Sequence, residues 1–137
     1  MSVHKKASLY VDGASRGNPG PSSIGAYLCD DQGHEIKSVS QTIGQTTNNV
    51  AEYRALIEGC KLARSQEITE LHIFSDSQLL VRQVLGQYKV KQPHLKLLWQ
   101  EAKDILASFE VFSLDHVPRE ENQKADALAN QALDMDS

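Results

Sequence analysis

Residues Ala7–Cys29 read ASLYVDGASRGNPGPSSIGAYLC, and the order of elements follows from this stretch outward. In Ala7–Asp12 the apolar Leu9 and Val11 alternate with Ser8 and Tyr10, the two-residue period of a strand with one buried face. That strand ends at Asp12 and enters Gly13–Ser23, whose glycines and prolines read as a turn. Ile24–Cys29 is a second strand. Asp30-Asp31-Gln32-Gly33 is a hairpin turn, and Glu35–Thr42 alternates as a third strand. Three strands joined by short turns predict an antiparallel meander.

The period then changes. From Asn49 the apolar residues Val50, Ala51, Tyr53, Ala55, Leu56, Ile57, Cys60, Leu62 and Ala63 recur at helical spacing, with Thr47, Asn48 or Asn49 available to cap the first turn. Glu70–Ser75 is a short strand, and Gln78–Leu85 a short helix with Asp76 or Ser77 at its start. Gly86–Gln92 is a polar break. Pro93 is well placed in the first turn of a helix that runs to Phe109. Val111–His116 is the last strand and Gln123–Leu133 the last helix. Helices that follow strands imply parallel crossovers, so the expected architecture is a mixed sheet with helices packed against it.

The chain has 137 residues, of which 40% are apolar and 23% charged. These values suit one domain over 1–137 and exclude collagen-like, disordered and disulfide-scaffold classes. No apolar run approaches the ~18 residues of a membrane span. No hydrophobic signal segment follows the basic Met1–Lys6, which favours the cytoplasm. No association stripe is visible, and a monomer is the expectation. Cys29 and Cys60 sit among apolar neighbours and read as buried thiols; two cysteines cannot build a thiolate zinc site. The formal charge is −4, but Arg82–Lys103 holds Arg82, Lys89, Lys91, Lys96 and Lys103 against Glu101 alone. That segment is either a solvated face or a handle for a polyanion.

Four carboxylates stand out by position. Asp12 ends the first strand, Glu52 lies in the first turn of the first helix, Asp76 ends the fourth strand before a helix, and Asp126 lies in the first turn of the last helix. In an open α/β sheet the ligand crevice lies at the C-terminal ends of the parallel strands. Strands one and four become neighbours if a crossover follows the meander, and Asp12 and Asp76 then face the same space. Acids gathered there repel one another and raise each other's pKa. A divalent, oxygen-seeking cation removes that repulsion. Two such ions about 4 Å apart can drive phosphodiester hydrolysis. Taken singly, an acid at a helix start can merely offset the helix dipole, and Asp12 before Gly13 can merely form a turn.

Four stretches carry a resemblance: Tyr10–Leu28 (YVDGASRGNPGPSSIGAYL), Thr46–Gly59 (TTNNVAEYRALIEG), Ile73–Val84 (IFSDSQLLVRQV) and Glu121–Asn130 (ENQKADALAN). In this order they are similar to the type 1 ribonuclease H family, which cuts the RNA strand of RNA–DNA hybrids. The resemblance implies a ribonuclease H-like α/β fold, with a five-stranded mixed sheet in the order 3-2-1-4-5 and helices on both faces. It puts the family's metal-binding acids on Asp12, Glu52, Asp76 and Asp126, with Mg2+ or Mn2+ as cofactor, two ions in all. It implies substrate contacts at Gly13, Ser15 and Asn18, and sugar-edge readers at Asn48, Asn49 and Gln78. Thr47 and Asn49 match the pocket for a DNA-strand phosphate. Asn and Gln suit this work, since they donate and accept and the 2′-hydroxyl in the minor groove tells RNA from DNA. Turn formation and capping are the alternative for Asn48-Asn49.

The departures from the family are informative. The family's glycine-containing loop with a histidine before the last acid is shortened here to Pro118–Glu121. Arg119, with Glu120 second, is expected in the vacated space as a catalytic group. It cannot serve as a base but can fork onto a phosphate oxygen. His116 reads as a strand-end residue. The basic, tryptophan-bearing protrusion of many bacterial relatives is absent, and only Gly86–Gln92 spans the gap. Lys89 and Lys91, with Lys96 and Arg82 as further candidates, then form the remaining basic surface for phosphates, so hybrid binding is expected to be weak and salt-sensitive. Trp99 falls at apolar helical spacing with Leu95, Leu98 and Ala102 and is expected in the core. No GxSxG elbow, HExxH pair or GK[ST] loop is present. The expected activity is metal-dependent hydrolysis of the RNA strand, leaving 5′-phosphate and 3′-hydroxyl ends. A non-catalytic hybrid or duplex binder of the same fold is the alternative, and a DNA-directed nuclease or resolvase a second rival.

Overall fold

The computed structural model describes residues 4–135. The chain forms β1 (Lys6–Ser15), β2 (Gly20–Asp30), β3 (Glu35–Thr46), α1 (Asn48–Ser65), β4 (Glu70–Ser75), α2 (Gln78–Val84), α3 (Pro93–Ala107), β5 (Val111–His116) and α4 (Gln123–Met135), in that order. The sheet order is β3-β2-β1-β4-β5. β1–β2 and β2–β3 pair antiparallel, and β1–β4 and β4–β5 pair parallel. This is the expected mixed sheet. No helix among the described residues is long and apolar enough to cross a membrane. Of the basic N-terminus, Met1–Val3 lie outside the described residues, as do Asp136 and Ser137 of the expected domain.

Two expectations about the first hairpin need correction. The ladder continues through the glycine- and proline-rich segment, with Gly13 opposite Ile24, Ala14 opposite Ser23 and Ser15 opposite Ser22. Only Arg16–Pro19 remains as a turn. Asp12 therefore lies inside β1 instead of ending it. Backbone pairing needs no apolar side chain, which is why the alternation fades before the strand does. β3 likewise runs on to Thr46, past a register shift at Ser22/Ser23 and past Gly44 at φ 83°.

Side chains on β1 alternate between two faces. Leu9 and Val11 point to α1: a Cβ on Gly59 of α1 would lie 3.0 Å from each. Gly13 shares that face, where a Cβ would lie 2.3 Å from the Ala51 carbonyl carbon. Asp12 points to the opposite face with its ladder partner Gly25, and there a Cβ on Gly25 would lie 2.2 Å from the Ala125 oxygen of α4. Helices thus cover both faces, as expected. The core lies between the sheet and the α1 side, with Leu9, Val11, Ile24, Leu28, Leu56, Ile57, Leu71, Ile73 and Leu106 less than 2% exposed. Each such side chain contributes about 1.5–3 kcal/mol by burial. Trp99 packs against this core half-buried, its Nε1 donating to the Gln83 oxygen at 2.9 Å. Cys29 and Cys60 are free and buried, and burial pushes the Cys60 thiol up to about 12.

Candidate active site and metal centre

Each acid reaches the site by a local device. Asp12 is interior to β1 and 6% exposed. Glu52 is the fifth residue of α1, beyond the first turn where its sequence position had placed it. Thr47 is the N-cap, its Oγ1 accepting from the Val50 N–H at 3.3 Å. Gly13, with no side chain, lets the α1 backbone down onto β1, and the Gly13 N–H donates to Glu52 Oε1. Asp76 leaves β4 just before Ser77, whose Oγ caps α2 by accepting from the Leu80 N–H at 3.2 Å. Asp126 lies in the first turn of α4, which Gly25 admits to the other face.

Asp12, Glu52 and Asp76 each offer a carboxylate oxygen within 4.8 Å of the others. Asp126 is outside that trio but beside Asp12, and its carboxyl contributes to the upward shift of the Asp12 pKa. Burial is the main cause of that shift, followed by the charges of Glu52 and Asp76. Burial also raises the Glu52 pKa; the Gly13 N–H offsets part of this, and the Asp76 charge adds to it.

The four acids line a cleft of about 550 Å3 with Gly13, Ala14, Ser15, Asn48, Asn49, Ser77, Arg119 and Asn130. Arg119 is the one basic residue lining it among the described residues. It sits on a 3-10 turn, Arg119–Glu121, largely exposed, with Nη2 3.6 Å from Asp126 Oδ1. Ser15 Oγ donates to the Thr46 oxygen at 3.2 Å. Asn18 is outside the cleft lining but tied to it, its Oδ1 accepting from the Asn48 N–H at 3.1 Å. Thr47 serves as the cap. Gln78 opens α2 and is exposed, outside the lining. Lys89 and Lys91 are also outside it, exposed on either side of the buried Val90. His116 ends β5, exposed, opposite Ser75.

Three further polar residues belong to the site, though the sequence pattern marks none of them as functional. Asn130 Nδ2 donates to Asp126 Oδ1 at 3.2 Å and to its backbone oxygen at 2.9 Å; its position four residues on, along one helix face, is a readable signal. Ser77 lines the cleft beside Asp76, and its side chain lowers the Glu52 pKa, offsetting part of the effect of burial. Asn122 reaches β1 from a position 111 residues away, which no local pattern reveals.

A family model described as reverse transcriptase-like matches residues 10–132. Ribonuclease H of Clostridium botulinum is 31% identical over 146 residues, with 95% of this chain and 97% of that protein covered. The chain belongs to the ribonuclease H family. Ribonuclease HI of Halobacterium salinarum is 42% identical over 129 residues, which span 94% of this chain and 65% of that protein. The crystal structure of RNase H1 from that archaeon superposes with a TM-score of 0.92 at 41% identity, covering 94% of this chain and 98% of that one. LC11-RNase H1, in a crystal structure with an RNA/DNA hybrid, gives a TM-score of 0.89 at 40% identity, covering 94% and 97%. The chain spans 36% of the length of a bifunctional Mycobacterium tuberculosis relative. These ribonuclease H structures share the sheet on which the acids of this chain are mounted.

The raised pKa values carry a stability prediction. Folding favours protonated Asp12 and Glu52, so their contribution is fully present below the unfolded carboxylate values near 4 and is lost as pH rises. In EDTA the thermal midpoint is therefore expected to fall between pH 5 and pH 8, and less steeply in Asp12→Asn. Millimolar Mg2+ is expected to recover most of the loss at pH 8. A fall of equal size in wild type and Asp12→Asn would place its origin elsewhere.

Proposed function

We propose that this chain is a metal-dependent endonuclease that hydrolyses the RNA strand of RNA–DNA hybrids. The observation that carries the proposal is the set of three carboxylates within 4.8 Å of one another, with Asp126 alongside, in a cleft that also presents Asn48 and Asn49. An all-oxygen donor set suits a hard divalent cation, Mg2+ or Mn2+. The fit is supported by the raised pKa values of Asp12 and Glu52, because the buried acids repel one another until a cation intervenes. Asp12, Glu52 and Asp76 would hold one ion, and Asp12 with Asp126 a second. Such a metal supplies Lewis acidity at the phosphate and makes water nucleophilic near neutral pH.

The remaining work falls to the chain. Glu52, fixed by the Gly13 N–H, orients the attacking water beside the 2′-hydroxyl of the RNA strand. Asn48, Asn49 and Gln78 donate to and accept from sugar hydroxyls and base edges in the minor groove. Ser15 and Asn18 support the RNA-strand side. Thr47, whose hydroxyl keeps its own proton to donate while capping α1, and Asn49 receive a DNA-strand phosphate. Arg119, 3.6 Å from Asp126, is poised to fork onto a phosphate oxygen. Lys89 and Lys91 add sequence-independent contacts to the backbone, and their small number makes binding weak and salt-sensitive. The products are 5′-phosphate and 3′-hydroxyl ends. We place the enzyme in the cytoplasm as a monomer.

The test is cleavage of a hybrid labelled on each strand in turn, with Mg2+, Mn2+ or EDTA. Metal-dependent cutting of the RNA strand alone is expected. Cutting of the DNA strand would overturn the substrate assignment. A folded protein that binds the hybrid and cuts neither strand would make the chain a binding module.

A further inference from the structure

Asn122 is 1% exposed and sits just before α4. Its backbone oxygen accepts from the Asp126 N–H at 3.1 Å, and its backbone N–H donates to the Arg119 oxygen at 2.9 Å. That is the place of an N-cap. A capping asparagine turns its side-chain oxygen onto an N–H of the first helical turn. Here the side chain points away from the helix: Nδ2 donates to the Val11 oxygen at 2.9 Å, on the residue next to Asp12. Oδ1 is the single buried side-chain nitrogen or oxygen among the described residues without a hydrogen-bond partner. The side chain thus forgoes the local cap and leaves a buried acceptor unpaired, while making one long-range bond to β1. Buried unpaired acceptors are rare in folded proteins and call for an explanation.

We propose that Asn122 is a positioning residue: it fastens the start of α4 and the Arg119 turn to β1, and so sets the spacing of Asp126 and Arg119 from Asp12. The proposal deepens the hydrolase reading and rests on it for its consequence in catalysis. The geometry allows one tether to serve both groups. Its backbone holds Arg119 on one side and Asp126 on the other, and its side chain holds the strand that carries Asp12. Without the Nδ2 bond, α4 keeps its packing over Gly25, but its first turn can shift relative to β1. A shift of that kind would weaken the binding of the divalent cation that Asp12 and Asp126 would hold, since outer-shell partners fix the geometry of the ligands they support.

The test compares Asn122→Ala with Asn122→Ser. Serine is a good N-cap but too short to reach the Val11 oxygen. Mn2+ binding to the metal-free protein is measured by calorimetric titration, with thermal midpoints in EDTA and kcat and KM on the hybrid. Both variants are expected to bind Mn2+ about 10-fold more weakly than wild type. Serine is expected to recover the thermal midpoint that alanine loses without recovering Mn2+ affinity. KM for the hybrid is expected to hold, and kcat to fall at limiting metal and recover partly at high metal. In an Asp126→Asn background, Asn122→Ser is expected to change Mn2+ affinity less than twofold, because the two residues act in series. A folded Asn122→Ser protein with wild-type Mn2+ affinity would overturn the proposal and leave the bond to Val11 without a bearing on the metal site. So would a full effect in the Asp126→Asn background. If wild type cleaves hybrid while the variants bind Mn2+ as tightly as it does, the positioning role fails alone. If wild type binds Mn2+ and the variants bind it weakly, yet none cleaves, the hydrolase reading fails and the tether stands.

Discussion

Asp76→Asn is expected to abolish hybrid cleavage and, in EDTA, to raise the thermal midpoint. The two effects have one cause seen from opposite sides. The Asp76 charge acts on both Asp12 and Glu52, raising the pKa of each. In the metal-free protein, replacing it with a neutral amide of the same size removes repulsion from a site where burial has already made charge costly. In the metal-loaded protein the same replacement would remove one of the three carboxylates, within 4.8 Å of one another, proposed to hold the cation. A divalent cation contributes several kcal/mol of charge stabilisation to the transition state, so turnover should fall at least about 10^3-fold. The measurement is kcat on a strand-labelled hybrid in saturating Mg2+, paired with melting in EDTA. Wild-type turnover in a folded Asp76→Asn protein would sink the four-acid mechanism. Lost turnover with a lowered midpoint would make Asp76 a structural residue instead.

How far the site could be read in advance depended on what kind of information placed each residue. The succession of strands and helices followed from periods and connection lengths, which are local properties, whereas the 3-2-1-4-5 order came with the family resemblance; it matches the sheet observed. The four acids were drawn together by topology and by resemblance, and they do line one cleft. Two of them sit elsewhere in their elements than the sequence pattern implies. Asp12 was placed at a strand end because glycine and proline mark turns, whereas the β1–β2 ladder runs on through Ser15. Glu52 was placed in a first turn, but the cap at Thr47 puts it deeper in α1, where a dipole role is weaker. What holds it in place is the Gly13 N–H, a contact across 39 residues. Arg119 was expected in the space left by a shortened loop, and it lies against Asp126. The Asn122 tether depends on a strand 111 residues away and could not have been inferred from spacing.

Gly25→Ala is expected to be among the most damaging single-methyl additions, and the reason joins the fold to the site. An alanine Cβ at this position would lie 2.2 Å from the Ala125 oxygen and 2.6 Å from the Ala129 nitrogen. Both are α4 backbone, so no side-chain rotation relieves the clash and the helix must lift from the sheet. Lifting it stretches the Ser23 Oγ bond to the Ala129 oxygen, 2.5 Å, and the Ser40 Oγ bond to the Leu128 oxygen, 2.6 Å. It also carries Asp126 away from Asp12, which faces the same side of the sheet from the opposite ladder position. The expected loss is about 3 kcal/mol or more, at the upper end for overpacking, with Mn2+ affinity lost in whatever remains folded. Gly59→Ala is the control. Its Cβ would meet only the side-chain tips of Leu9 and Val11, at 3.0 Å, and these can move. Thermal melts of the two variants should therefore separate clearly, with Gly25→Ala much the less stable. If Gly25→Ala instead melts within about 2 °C of wild type, α4 is not seated on the sheet at this glycine. The close approach would then be no part of how Asp126 reaches the other acids.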